Sequence, residues 1–194
     1  MTAPTLSVPV LLLAMPQISD PFFAKSVVLL LAHEEEGSFG FVVNRRTELK
    51  VSAILEDLKL EWGGDEAALA GFGGPVQPQV GTVLFSVEEG ELPELESASE
   101  VAPKILLTQH VGELELLGAR PPERFRLLLG HAGWGAGQLV EEILRNDWIV
   151  APVDADLVFG GDTEAVWEAA MASVGVDPAM LPAWTPAAGE DVAN

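Results

Sequence analysis

The sequence predicts an α+β domain, and three observations carry that prediction. Two short apolar runs rich in β-branched residues, Ser26–His33 and Phe39–Asn44, flank the polar segment "EEEGS", the pattern of a hairpin buried on both faces. Other segments place apolar residues at helical spacing. Strands and helices do not alternate strictly, which favours α+β over a doubly wound parallel sheet.

Taken in order, Val10 to Met15 is an apolar run without a basic flank, too short for a membrane span of about 20 residues, and reads as a buried strand. The hairpin follows. Val51, Ile54, Leu55, Leu58 and Trp62 then give one apolar helix face, with Gly63 and Gly64 as the stop. Gly71–Val80 reads as a Gly/Pro loop and "GTVLFSV" as a strand. The acidic segment "EEGELPELESASE" reads as an exposed loop with a short strand beyond, "KILLT" as a strand, and "QHVGELELLG" as a short helix ending at Gly118. Arg124–Gly130 alternates and then turns apolar, as a strand entering a core does. The next helix, within 137–148, sets Leu139, Val140, Ile143, Leu144 and Trp148 on one face and Gln138, Glu141, Glu142 and Arg145 on the other. "WIVAP" and "DLVF" read as short strands, and a last helix runs from an Asp162 N-cap to Gly175. From about 177 the chain has three prolines and reads as an irregular tail. Without a linker, an internal repeat or a low-complexity tract, residues 1–194 read as one domain.

Composition limits the function. Hydrophobic residues make up 48% of the chain, enough for a sizeable core, and the lack of cysteine excludes disulfides, thiolate metal sites and cysteine nucleophiles. The formal net charge is −20, with 30 acidic against 10 basic residues. Nucleic acid and anionic membranes reward clustered Lys and Arg, so direct binding to either is disfavoured, and the ordinary role of the acidity is solubility. The expectation is a cytoplasmic protein.

The stretch "GHAGWGAGQLVEEILRNDW" packs four glycines into Gly130–Gly137. Gly130 and Gly135 have the glycine spacing of a Walker loop, but Ala136 and Gly137 stand where Lys and Ser/Thr must be. Gln138 likewise breaks a dinucleotide fingerprint beginning at Gly133. What remains is a tight glycine turn onto a helix, whose free N–H groups could hold an anion. No H-E-x-x-H or H-x-H occurs among His33, His110 and His131, so no metal site is expected. Ser38 directly follows Gly37 and lacks the nucleophile elbow. Asn44–Arg46 forms a basic corner if Lys25 joins it across the hairpin, able to bind a carboxylate or phosphate, or simply to pair with surface glutamates.

Three ordered blocks, "LLLAMPQISDPFFAKSVVLLLAHEEEGSFGFVVNR", "GGPVQP" and "HAGWGAGQLVEEILRNDWIVAP", resemble the YqgE/AlgH family across Leu11–Pro152. The resemblance implies an α+β fold with a mixed, largely antiparallel sheet curled into a barrel-like shape and helices packed around it. It implies no established enzymatic activity and no cofactor. One branch of the family carries the label of a transcriptional regulator of alginate production. In this chain Arg46 stands where the family usually has proline, and His131 where it usually has an aromatic, most often tyrosine.

These readings lead to a non-catalytic binding or regulatory protein that recognises a protein partner or a small anionic ligand. The candidate ligand-binding residues are Asn44, Arg45, Gly73, Gly74, Gly133, Trp134 and Gln138, grouped where strand ends form pockets. On that reading Arg45→Ala weakens binding and leaves folding nearly unchanged. Two alternatives remain: a small-molecule hydrolase with His33 as general base near Asn44 and Asp20, and a direct DNA-binding regulator with a hidden basic face.

Overall fold

The computed structural model describes residues 6–87, 95–161 and 163–181. In chain order it runs through β1 (Val10–Ala14), β2 (Val27–Glu34), β3 (Gly37–Val42), β4 (Arg46–Lys50), α1 (Val51–Asp57), β5 (Leu69–Phe72), β6 (Val76–Ser86) and β7 (Ser99–Ala102). There follow β8 (Ile105–Thr108), α2 (Val111–Ala119), β9 (Arg124–Gly135), α3 (Gln138–Leu144), β10 (Trp148–Ala151), α4 (Ala155–Val158) and α5 (Thr163–Ser173), with a 3-10 turn at Pro178–Met180. The ten strands form one curled half-barrel sheet in the order β10-β1-β2-β3-β9-β6-β8-β7, with β4 and β5 branching off β9. All pairings are antiparallel except β5 with β9. The expected α+β class and curled, mixed sheet are what the chain forms.

Alternation along β1 and β2 explains why both runs are apolar throughout. Leu11, Leu13, Val27 and Leu29 face a core shared with Trp167, Ala170 and Met171 of α5. Leu12, Ala14, Val28 and Leu30 face a second core built with Trp134, Leu139 and Trp148. All eight β1 and β2 side chains are fully buried, the condition under which a strand loses its polar face. A third core sits under α1 and α2, where Val51, Leu55, Leu114 and Leu117 pack on Val83, Phe85 and Leu127.

Several elements differ from expectation, each for a local reason. The glycine stretch is not a turn: β9 continues through it to Gly135, because Gly37–Gly40 of β3 pairs with Ala132–Gly135 and the small residues permit that approach. The turn proper is at Gly137, which caps α3 in the left-handed conformation at φ 74°. Most of Gly71–Val80 is strand, not loop, in β5 and the start of β6. "DLVF" is helical: the Asp154 carboxylate accepts from the Asp156 N–H at 2.8 Å and starts α4, and a short apolar run cannot distinguish strand from helix by itself. α1 stops at Asp57, with Lys59 at φ 63°, so Leu58 is 47% exposed and Gly63–Gly64 lies beyond the stop. α3 stops at Leu144, which is 70% exposed instead of core. β4 had no apolar run to announce it, since its residues are mostly exposed. Asp162, part of the acidic segment (88–94) and the tail from 182 lie outside the described residues.

Candidate anion-binding cleft

The basic corner divides into two roles. Asn44 is 2% exposed: its Oδ1 accepts from the Val27 N–H at 2.7 Å, and its Nδ2 donates to the carbonyls of Lys25 and Thr163 at 2.9 and 2.8 Å. Both amide donors are spent, so Asn44 ties the end of the hairpin to α5. Arg45 donates through Nη1 to the Pro21 carbonyl at 2.6 Å and through Nη2 to the Ala24 carbonyl. Burial lowers its pKa and the nearby Asp20 carboxylate opposes that shift. Arg45 thus staples the segment between β1 and β2, and on this geometry Arg45→Ala is expected to carry a folding cost, where the sequence reading expects folding nearly unchanged. Arg46 points elsewhere.

Gly73 and Gly74 sit where backbones touch. A Cβ on Gly73 would lie 2.2 Å from the Gly130 carbonyl oxygen, and one on Gly74, at φ 152°, would lie 2.1 Å from the His131 carbonyl. Trp134 and Gln138 belong to one network. The indole N–H groups of Trp134 and Trp148 both donate to Glu142 Oε2, at 2.9 and 2.8 Å. Gln138 donates to Glu142 Oε1 at 2.9 Å and accepts from the Gly135 N–H at 3.0 Å. Phe23 packs against both indoles, at 6.2 and 5.9 Å. Glu142 therefore faces inward as the hub that locks α3 onto β9 and β10. Gly133 is exposed, and a Cβ there would meet only Val76 at 3.8 Å.

The hydrolase constellation does not assemble. His33 pairs across the hairpin with Ser38, Nδ1 to Oγ at 2.8 Å, near the β2–β3 turn. Asn44 binds Val27 at the other end of β2, six residues or about 20 Å away. Asp20 caps its own turn by accepting from the Phe22 N–H at 2.8 Å, on the Arg45 side. His131 packs on Phe39 at 4.7 Å, and burial lowers its pKa. Among the described residues no group of three or more His, Asp or Glu is arranged to hold a metal ion, and no helix is long and apolar enough to cross a membrane.

Arg124 and Arg126, which sequence reasoning did not single out, come together with Arg46 elsewhere. β5 pairs with β9 only at Leu128–Leu129, so Arg124–Leu127 has β6 on one side and, among the described residues, no strand on the other. A cleft of about 490 Å³ lies along that free edge. Alternation sends Arg124 and Arg126 to the α4 side, and Phe125 and Leu127 to the α1–α2 side. Arg46 reaches the same cleft from β4, so three of the chain's six arginines line it. Arg46 Nη2 donates to the Gly161 carbonyl at 2.5 Å, and Arg126 Nη2 to the Gly160 carbonyl. Arg124 is paired with Asp156. Burial, and then the charge of Arg46, pull the Arg126 pKa down to about 10. The legible signal was "RFR", two arginines on one strand face in a chain almost without them.

These features define a class: an α+β protein with a curled sheet, a cationic cleft at a strand edge, and histidines that do not converge with the other catalytic candidates. The family model described as DUF179: AlgH-like matches residues 11–179, and the chain belongs to that AlgH-like family. Its relatives include a UPF0301 protein of Paraburkholderia phymatum, 40% identical over 173 residues, covering 88% of this chain and 89% of that one. A UPF0301 protein of Ruegeria pomeroyi is 40% identical over 177 residues, 89% of this chain and 94% of its own. Among solved structures, the AlgH protein of Pseudomonas aeruginosa superimposes with a TM-score of 0.73 at 33% identity, covering 97% of this chain and 99% of that one. A Corynebacterium diphtheriae protein shares the fold, with a TM-score of 0.72 at 24% identity and 89% and 90% coverage.

Proposed function

We propose that this protein is a non-catalytic, cytoplasmic regulatory protein that binds a small anionic ligand in the Arg46–Arg124–Arg126 cleft. The observation that carries the reading is the pair Arg46 and Arg126. They lie close enough for the charge of one to depress the pKa of the other, and among the described residues neither has a carboxylate ion-pair partner. Among the described residues no carboxylate ion pair offsets these two cations, and like charges held together are costly unless a counter-charge, here a ligand's, balances them. The cleft volume falls within the range of small-molecule sites, roughly 300–1,000 Å³. The net charge of −20 argues against contact with duplex DNA, so a role in transcription would run through the ligand or a protein partner.

The test is a thermal-shift screen of phosphates, sulfate and carboxylates at fixed ionic strength, on the natural protein and on Arg46→Met. A ligand at 100 times its Kd adds about 2.7 kcal/mol. An anion that stabilises the natural protein and not Arg46→Met supports the reading. Equal shifts in both proteins, or none with any anion, contradict it.

A further inference from the structure

The cleft's lining narrows the ligand further, resting on the anion-binding reading above. Among the described residues Lys25, Arg124 and Arg145 each sit in an ion pair, while Arg46 and Arg126 do not. Asp65 and Glu123 line the cleft without forming an ion pair to either. Each of the two guanidinium groups has one N–H donated to a backbone carbonyl, at Gly161 and Gly160, which leaves further donors on a rigid fork. Two like charges side by side are matched by a dianion better than by a monoanion, and guanidinium forks fit phosphate oxygens bidentately. A phosphate monoester carries between −1.5 and −2 charge near pH 7, roughly, with its second pKa about 6.

Across the edge of β9 from Arg126 the cleft turns aromatic. Trp62 and Phe125 pack at 5.4 Å, and with Phe159 they line the same cleft, all three half-buried. The Trp62 indole N–H already donates to the Asp65 carbonyl at 2.9 Å, so the ring's contribution to the cleft is apolar. We infer that the cleft takes a phosphate monoester bearing a planar ring, its phosphate between Arg46 and Arg126 and its ring against the Trp62–Phe125 wall.

Calorimetric titration at pH 7.5 and constant ionic strength tests this with phenyl phosphate, AMP, ribose 5-phosphate, inorganic phosphate and benzoate. Stacking predicts that a ring-bearing phosphate binds about tenfold tighter than its ring-free counterpart. Phenyl phosphate against inorganic phosphate reports a directly attached aryl ring, and AMP against ribose 5-phosphate reports a nucleobase. Benzoate is expected to bind more weakly than phenyl phosphate. Arg46→Met, at an exposed position, weakens every phosphate about tenfold or more, whereas Trp62→Leu removes only the advantage of the ring. Lowering the pH to 5.5 weakens binding of the phosphate monoesters about fourfold as the dianion is lost. Benzoate binding as tightly as phenyl phosphate, ring-free phosphates binding as tightly as both ring-bearing ones, or affinity indifferent to this pH change would overturn the assignment and leave the anion reading standing. If no anion binds, both fall.

Discussion

Glu142 is a surface-type residue doing an interior job. Its Oε2 accepts from two indoles that are only 6% and 4% exposed, those of Trp134 and Trp148. Removing a shared acceptor strands both donors, at about 1–3 kcal/mol each. Glu142→Ala should therefore lower stability by about 2–5 kcal/mol in chemical denaturation, with Glu142→Gln recovering part of it; a loss under 1 kcal/mol would show that the clamp is incidental. His131 gives a pH signature. Burial lowers its pKa from 6.5, so the unfolded chain binds its proton more readily. The sign follows: there is no penalty above the unfolded value, and stability is lost as pH falls below about 6.5. His131→Tyr should flatten that part of the stability–pH curve, and an unchanged slope between pH 7 and 5 would assign it to other groups. Neither role was legible beforehand. The helical period put Glu142 on the polar face, and only the register of β9 against β3 turns Trp134 inward to meet it.

Among the elements, those that announced themselves carry their burial pattern in their own sequence. The β2–β3 hairpin and β1 are apolar because both faces are buried, and α5 shows its Val166, Ala170 and Met171 stripe. The strands that were missed or read short owe their state to a partner. β4 is exposed and exists through β5, the start of β6 is held by β9, and β9 outlasts its apolar run by pairing with β3. Gly74 shows what such close approach demands. At φ 152°, and with a Cβ that would meet the His131 carbonyl carbon and oxygen at 2.1 Å, alanine there meets both backbone strain and a clash. Gly74→Ala should cost about 2–5 kcal/mol, measured by denaturant midpoint. A neutral result would mean that the β5–β6 connection has freedom to shift. The same reasoning accounts for Gly73 and Gly74 looking like ligand-binding residues in the sequence: a glycine where two strands meet reads like a glycine around a ligand.

For the whole molecule, the distribution of charge matters more than its sum. A net −20 argues against polyanions as partners, and it also concealed a cleft in which three of six arginines converge. Arg46 was visible as half of a basic pair, but Arg126 was joined to it only by the branching of β4 and β5 from β9. The paired cations should also burden the fold. An Arg126 pKa pulled down by burial to about 10 corresponds to a penalty on the order of 3 kcal/mol at neutral pH, against a gain of about 1 kcal/mol for its bond to Gly160. That penalty is relieved as pH rises through about 10, because the unfolded chain then holds the proton longer. Without ligand, Arg126→Met should leave the melting temperature unchanged or raise it. A drop of several degrees would make Arg126 a structural residue.

The central claim is that Arg46 and Arg126 together hold an anion, and the most direct measurement is an NMR titration of the arginine side-chain N–H signals with inorganic phosphate at constant ionic strength. The six arginines give their own internal controls. The account predicts saturable shifts at Arg46 and Arg126, little change at Arg45 with its two carbonyl partners, and little at Arg145 in its pair with Asp147. Shifts spread evenly over exposed arginines, or confined to Arg45 or Arg145, would contradict it.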